Sequence, residues 1–268
     1  MRPDVVDLQA FYRSRQGQLV RRLLARQIRT LWPDLNGLRV LGLGYPVPYL
    51  GPLAEEAERV ITLMPAAQGA RRWPCPGPNR AALVQEDELP LPDNSVDRVL
   101  MVHALEGSER VRAMLREVWR VLDDGGRLLA VVPNRRGLWS LSDSTPFGHG
   151  RPYSPYQLER DLNGSLFTAR QQGRALYVPP VSSGLVLRTA VAWERLGLRL
   201  GLPFAGVLLI EAEKQIYAAA LREAERRRRR VPGYLPLPRR VAAAARVRDR
   251  ERRRDGERPV GTGAEPWR

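Results

Sequence analysis

The sequence predicts an α/β domain, a mostly parallel sheet with helices on both faces, followed by an arginine-rich tail. Three observations carry this. Short apolar runs alternate with amphipathic stretches between residues 39 and 132, the pattern of repeated strand–helix–strand units. Hydrophobic residues make up 43% of the 268-residue chain, enough for a core without disulfide or metal staples. The net charge of +15, from 44 basic and 29 acidic residues, is gathered at one end. Residues 222–268 hold 16 basic and 7 acidic side chains, so the first 221 residues carry only the remaining +6.

Taken in order, residues 5–31 read as one amphipathic helix or two. Leu8, Phe11, Leu19, Leu23, Ile28 and Leu31 fall near helical spacing, with Arg13, Arg15, Arg21 and Arg22 between them. Trp32-Pro33 ends the stretch and Asn36-Gly37 marks a turn. A short apolar strand at 39–44 runs into a loop holding Pro46 and Pro48. A short helix at 49–58 and a second strand at 59–64, stopped by Pro65, complete the first unit. Residues 68–80, rich in Gly and Pro, read as an irregular loop before a third strand at 81–84. A strongly apolar strand at 96–103 is followed by a helix at 109–122, with Val111, Met114, Leu115, Val118 and Leu122 on one face. Asp123-Asp124-Gly125-Gly126 reads as the closing turn, and 127–132 as the next strand.

Residues 135–155 lack periodicity. A helix at 154–162, a strand at 175–178, a helix at 186–200 and a strand at 206–213 follow. The most apolar stretch, 196–210, is interrupted by Arg199 and Pro203 and is too short to span a bilayer; it reads as a buried helix and then a strand. The first 31 residues lack the apolar core and cleavage site of a secretory signal. Cys75, the single cysteine, excludes an intrachain disulfide and a multi-cysteine metal cluster, and His103 and His149 leave little for zinc. A cytoplasmic protein with no metal and no transmembrane segment is expected.

The expected organisation is a helical segment at 1–36, an α/β domain at 37–221 and a tail at 222–268. The tail contains the runs 226–230 and 252–254 of consecutive arginines. Such blocks are expected to be solvated and disordered, and to contact nucleic acid or an anionic membrane weakly. Lysine is almost absent throughout, Lys214 being the single one, which reads as compositional bias.

Three segments together bear a family likeness. They are Leu89-Pro-Leu-Pro-Asp-Asn-Ser-Val-Asp97, Arg98-Val-Leu-Met-Val-His-Ala-Leu-Glu106 and Glu117-Val-Trp-Arg-Val-Leu-Asp-Asp-Gly-Gly126. In that order, behind the glycine loop at 42–44, they resemble the class I S-adenosylmethionine-dependent methyltransferases, in particular the small-molecule, type 11-like branch. The likeness covers 38–134 well and 153–217 more loosely. It implies a three-layer Rossmann-like sheet of about seven strands, the last antiparallel. It also implies S-adenosylmethionine as cofactor and methyl transfer to a small organic acceptor.

The glycine loop departs from the family. Gly42 stands where the family has an acid, and Gly44 matches its first loop glycine. Pro46 and Pro48 occupy the next two glycine positions, although proline lacks an N–H and fixes φ. Leu63 or Met64 replaces the second acid, which would hold the ribose. The cofactor candidates are therefore Gly42, Gly44, Tyr45, Met64, Glu86, Asp87 and Leu89. Each has a plainer alternative: close helix–strand contact for Gly42, loop packing for Tyr45, and a solvated turn for the acidic patch 86–88.

On the acceptor side, His103 follows an apolar strand, and either positions substrate or acts as a base, or caps and packs the strand end. Glu106 either shares that site or opens the next helix. His149 and Tyr153 are further catalytic candidates. Arg151 and Arg135 are substrate candidates, suited to an anionic group; an internally bonded loop is the alternative. Two other functions stay open: a methyltransferase fold that binds or regulates without turnover, and a nucleic-acid-associated protein working through its tail.

Overall fold

A computed structural model describes residues 2–181 and 183–216; the tail expected at 222–268 lies outside the described residues. The N-terminal stretch is two helices, α1 (Val5–Arg13) and α2 (Arg15–Leu31), and short polar caps decide the division. The Asp4 carboxylate accepts the Val6 N–H at 2.7 Å, and the Ser14 hydroxyl accepts the Gly17 N–H at 3.0 Å. Gly17 lets α2 start hard against the end of α1, since a Cβ there would lie 2.0 Å from the Phe11 carbonyl oxygen. Both helices pack on the sheet; neither stands apart from it.

Seven strands form one sheet: β1 (Arg39–Gly44), β2 (Arg59–Pro65), β3 (Ala81–Val84), β4 (Val96–Val102), β5 (Leu122–Pro133), β6 (Phe167–Ala175) and β7 (Val207–Lys214). Their order is β3-β2-β1-β4-β5-β7-β6. The first five are parallel, and β7 runs antiparallel between β5 and β6. Alternate residues feed two cores. Val40, Leu100, Leu129 and Leu209 face α1, α2 and α3 (Val47–Ala54). Leu41, Val99, Met101 and Leu128 face α4 (Val111–Val121) and α5 (Pro155–Asn163). This is the expected three-layer Rossmann-like fold. Because β1 and β4 are neighbours from which the chain departs in opposite directions, the crevice of the fold lies at their carboxyl ends.

Three expected elements differ. The turn at 123–126 is part of β5: α4 passes directly into the strand at Leu122, and a register shift opposite Asp97 absorbs the extra residues. The strand expected at 175–178 ends at Ala175 rather than starting there. Its real extent, Phe167–Ala175, is rich in Arg and Gln because β6 is the half-exposed edge of the sheet.

The helix within 196–210 is not buried. On α6 (Gly184–Leu200), Leu196, Leu198 and Leu200 are 52%, 42% and 62% exposed. Its inward positions are instead Ala190, Glu194 and Gly197. Glu194 accepts the N–H groups of Leu176 and Tyr177, and a Cβ on Gly197 would overlap the Tyr177 ring. Among the described residues no helix is long and apolar enough to cross a membrane.

Candidate functional site

At the crevice the tips of β1 and β4 are pressed together. Gly44 has φ +89, and a Cβ there would lie 2.3 Å from the Val102 carbonyl oxygen. The next amide, Tyr45 N–H, donates to that oxygen at 2.7 Å. Gly42 is a helix–strand contact: Pro46, the residue that starts α3, places its ring where a side chain would go, 2.4 Å from the ideal Cβ. The polar groups of the glycine loop are thus turned inward, and Tyr45 is buried.

Immediately past β4, His103 takes φ +51, a left-handed conformation that costs a histidine about 1 kcal/mol or more. What that conformation achieves is a buried hydrogen-bonded chain. Tyr49 donates to the Tyr12 hydroxyl at 3.0 Å, and Tyr12 lies 2.9 Å from His103 Nε2. His103 Nδ1 lies 3.1 Å from Glu106 Oε1, at the 3-10 turn Leu105–Gly107. Burial raises the pKa of both phenols, so they stay protonated. Tyr12 accepts from Tyr49, which leaves its own proton for Nε2. His103 then carries its ring proton on Nδ1 and donates it to Glu106. The donors all point one way and end on a carboxylate whose second oxygen, Oε2, is buried without a partner. Such a chain fixes the orientation of the His103 ring between Tyr12 and Glu106. Tyr12 and Tyr49 are the members that sequence reasoning missed. The signal was a pair of adjacent aromatics, Phe11 and Tyr12, near the end of α1.

The N-terminal residues continue the cover. Arg2 ion-pairs with Glu86 and donates to the Ala104 carbonyl, Val5 N–H bonds the Gln68 carbonyl, and the Gln68 side chain donates to the His103 carbonyl at 3.3 Å. The acidic patch is a turn, closed by the Glu88 N–H on the Gln85 carbonyl, with Glu88 exposed and its other two carboxylates engaged. Glu86 is held by Arg2 and Ser108, and Asp87 by Arg110 at 2.7 Å, whose hydrogen bond lowers the pKa of that carboxyl. Leu89 is buried and its N–H bonds Glu117. Met64 is buried at the end of β2, where its sulfur receives the Arg71 N–H.

The acceptor-side candidates separate into three places. His103 is in the buried chain. His149 lines a cavity of about 550 Å³ between α1 and the segment 143–149, together with Asp4, Asp7, Phe11 and Asp143. Arg151, Arg135 and Tyr153 line another cavity, beside α4 and α5. Arg151 N–H bonds the Glu106 carbonyl, and Gly150 lies against that same carbonyl. His149 and Arg151 do not share a site.

Residues 42–130, from inside β1 to inside β5, match the family profile described as methyltransferase domain. Over this stretch the chain carries a methyltransferase domain, set in the Rossmann-like fold described above. No curated protein matches the sequence significantly. Among solved structures, the methyltransferase domain is similar to an S-adenosylmethionine-dependent methyltransferase of Mesorhizobium loti. The two are 17% identical, covering 70% of this chain and 96% of the other, with TM-score 0.51. It is also similar to an S-adenosylmethionine-dependent methyltransferase of Thermotoga maritima described as a possible histamine N-methyltransferase. That pair is 16% identical, covering 79% and 96%, again with TM-score 0.51. At these identities the likeness is one of fold.

S-adenosylmethionine is the cofactor of this methyltransferase domain. In the described conformation the chain does not make room for it. Tyr12, Tyr45, Tyr49 and His103 pack over the tips of β1 and β4, all buried, and Gln68 and Arg2 bridge from the flanks. The end of β2 offers Leu63, Met64 and Pro65 in place of a carboxylate for the ribose hydroxyls. That cover, joined to α1 through Tyr12, lies at the carboxyl ends of β1 and β4, where a fold of this kind seats its ligand.

Proposed function

We propose that this methyltransferase acts on a small organic acceptor seated between α1 and the segment 143–149. The cavity there carries the proposal: at about 550 Å³ it has the size of a small-molecule site, and it mixes an aromatic wall, Phe11, with His149 and three aspartates. It borders the same helix whose seat covers the strand tips, so displacement of α1 brings acceptor and cofactor edge into one space. The cofactor supplies an already activated methyl group. The chain's own part is to align the acceptor, exclude water and receive a proton if the acceptor carries one. His149, the imidazole in the lining of that cavity, is placed to receive that proton.

The closed crevice favours a second reading, a methyltransferase fold that binds a ligand without turnover. One experiment separates the two. The protein is incubated with S-adenosylmethionine and either the low-molecular-weight or the macromolecular fraction of a cell extract, and release of S-adenosylhomocysteine is followed. Turnover with the small-molecule fraction, reduced by His149→Asn, supports the first reading. Turnover confined to the macromolecular fraction, or none with either, overturns it. A single exposed cysteine supports a reducing, cytoplasmic setting, and the arginine runs of the tail support weak contact with nucleic acid or an anionic membrane.

A further inference from the structure

The second cavity, about 580 Å³, opens between the start of α4 and the outer side of α5. Its lining contains six arginines, Arg110, Arg112, Arg116, Arg135, Arg151 and Arg160, against the acids Glu109 and Asp161. The rest of the folded part is nearly balanced in charge, so this is a local concentration. Arg110 is paired with Asp87 at 2.7 Å and Arg160 with Asp161 at 3.7 Å. Among the described residues Arg112, Arg116, Arg135 and Arg151 have no carboxylate partner. Like charges brought together without a counter-charge repel one another, and an anion relieves that repulsion.

The same cavity has a fixed wall. Tyr153 N–H bonds the Pro133 carbonyl, Arg135 N–H bonds the Tyr153 carbonyl, and Arg151 N–H bonds the Glu106 carbonyl, all at 2.8–2.9 Å. These bonds hold two of the free arginines and the tyrosine at the tip of β5. The Tyr153 ring is 7% exposed, and burial raises its pKa, so the hydroxyl stays a donor. Tyr153 lines the cavity, and no hydrogen bond from its hydroxyl to the protein is seen among the described residues.

We propose that this cleft binds a small molecule carrying two or more clustered phosphate groups. Guanidinium forks meet phosphate oxygens bidentately, and several of them converging on one cavity match a ligand with closely spaced negative charge. The bounded volume is that of a small-molecule site, whereas a polynucleotide would follow an extended basic track. The inference stands apart from the acceptor cavity and does not depend on turnover.

Calorimetric titration of the full chain with sodium tripolyphosphate tests it. The parent is compared with the Arg116→Gln/Arg151→Gln double variant at two salt concentrations, with inorganic phosphate and a single-stranded oligonucleotide as further probes. Both substituted arginines are exposed, and an unchanged thermal midpoint confirms that the variant is folded. The tail arginines are the same in both proteins, so the difference reports the cleft. The expected result is tripolyphosphate binding that weakens about tenfold or more in the double variant, with inorganic phosphate binding more weakly than tripolyphosphate. Equal binding by parent and variant, or no binding by the parent, overturns the proposal. Tighter binding of the oligonucleotide, lost in the same variant, also overturns it in favour of a nucleic-acid contact.

Discussion

The Tyr12 hydroxyl lies 2.9 Å from His103 Nε2, joining the N-terminal helix to the tip of β4 across 91 residues of sequence. Both side chains are buried, so Nε2 has Tyr12 as its partner and the Tyr12 proton has Nε2 as its acceptor. Tyr12→Phe keeps the ring and removes the donor, leaving Nε2 orphaned. The expected loss is about 1–2 kcal/mol of stability, read from urea unfolding. A variant as stable as the parent would mean that water or a rearranged His103 fills the place, and that the chain of donors is not a unit.

The same contact governs access to the cofactor edge. If α1 must leave before S-adenosylhomocysteine can bind, the observed binding rate should level off as ligand concentration rises, because opening becomes limiting. Tyr12→Phe, which loosens the seat, should raise that plateau roughly fivefold or more if it removes about 1 kcal/mol. Stopped-flow fluorescence can follow this through the aromatic cluster. A rate that stays linear in ligand up to high concentration would show that the edge is open without movement of α1.

Gly42 and Gly44 should respond differently to alanine. At Gly44 the new Cβ meets a carbonyl oxygen at 2.3 Å, and the backbone has φ +89. At Gly42 it meets the Pro46 ring at 2.4 Å from an ordinary backbone. Gly44→Ala therefore carries conformational strain as well as overlap, and is expected to cost about 2–4 kcal/mol. Gly42→Ala is expected to cost about 1–3 kcal/mol, since α3 can shift. Thermal unfolding of the two proteins decides the order, and the reverse order would contradict the assigned geometry.

Asp97 gives the fold an acid-sensitive joint. It accepts the Arg39 backbone N–H at 2.7 Å and the guanidinium at 2.9 and 3.0 Å, and these hydrogen bonds lower its pKa in the folded state. A lowered folded pKa means that the unfolded chain takes up the proton first as pH falls. The contribution is therefore complete above the ordinary carboxylate pKa of about 3.9 and is lost below it. Asp97→Asn should lower stability by about 1–2 kcal/mol near neutral pH, allowing for partial solvent screening. The gap to the parent should close below about pH 4. Thermal midpoints measured across that range check the claim; a constant gap would refute it.

How much of this was readable from the sequence depends on the range of the interactions involved. The strands at 39–44, 81–84 and 207–214 announce themselves because both of their faces, or one face and a turn signal, are apolar. The edge strand β6 does not, because an edge tolerates Arg170, Gln171 and Gln172. The division of α1 from α2 rested on Ser14, a local cap that could have been noticed. The exposed leucines of α6 were misread because apolar content alone does not tell which side of a helix meets the sheet. Gly42 and Gly44 were found through the family likeness, and the plainer alternative of close packing is what Gly42 does. The cover over the crevice was invisible, since it is made by Tyr12, Gln68 and Arg2 reaching residues 35 to 102 positions away.

The place of β7 also shapes how the domain can be assembled. It is the last of the seven strands in sequence, yet it sits inside the sheet, bonded to β5 on one side and β6 on the other. During synthesis, β1 to β5 can pair as they emerge, but β6 has no neighbour until residues 207–214 have followed it. Until then β5 presents a bare apolar edge, with Leu128, Ala130 and Val132 on one side and Leu129 and Val131 on the other. A nascent chain stalled before residue 207 would be expected to engage chaperones or self-associate, and one extended past residue 214 would be expected to close its sheet and escape both.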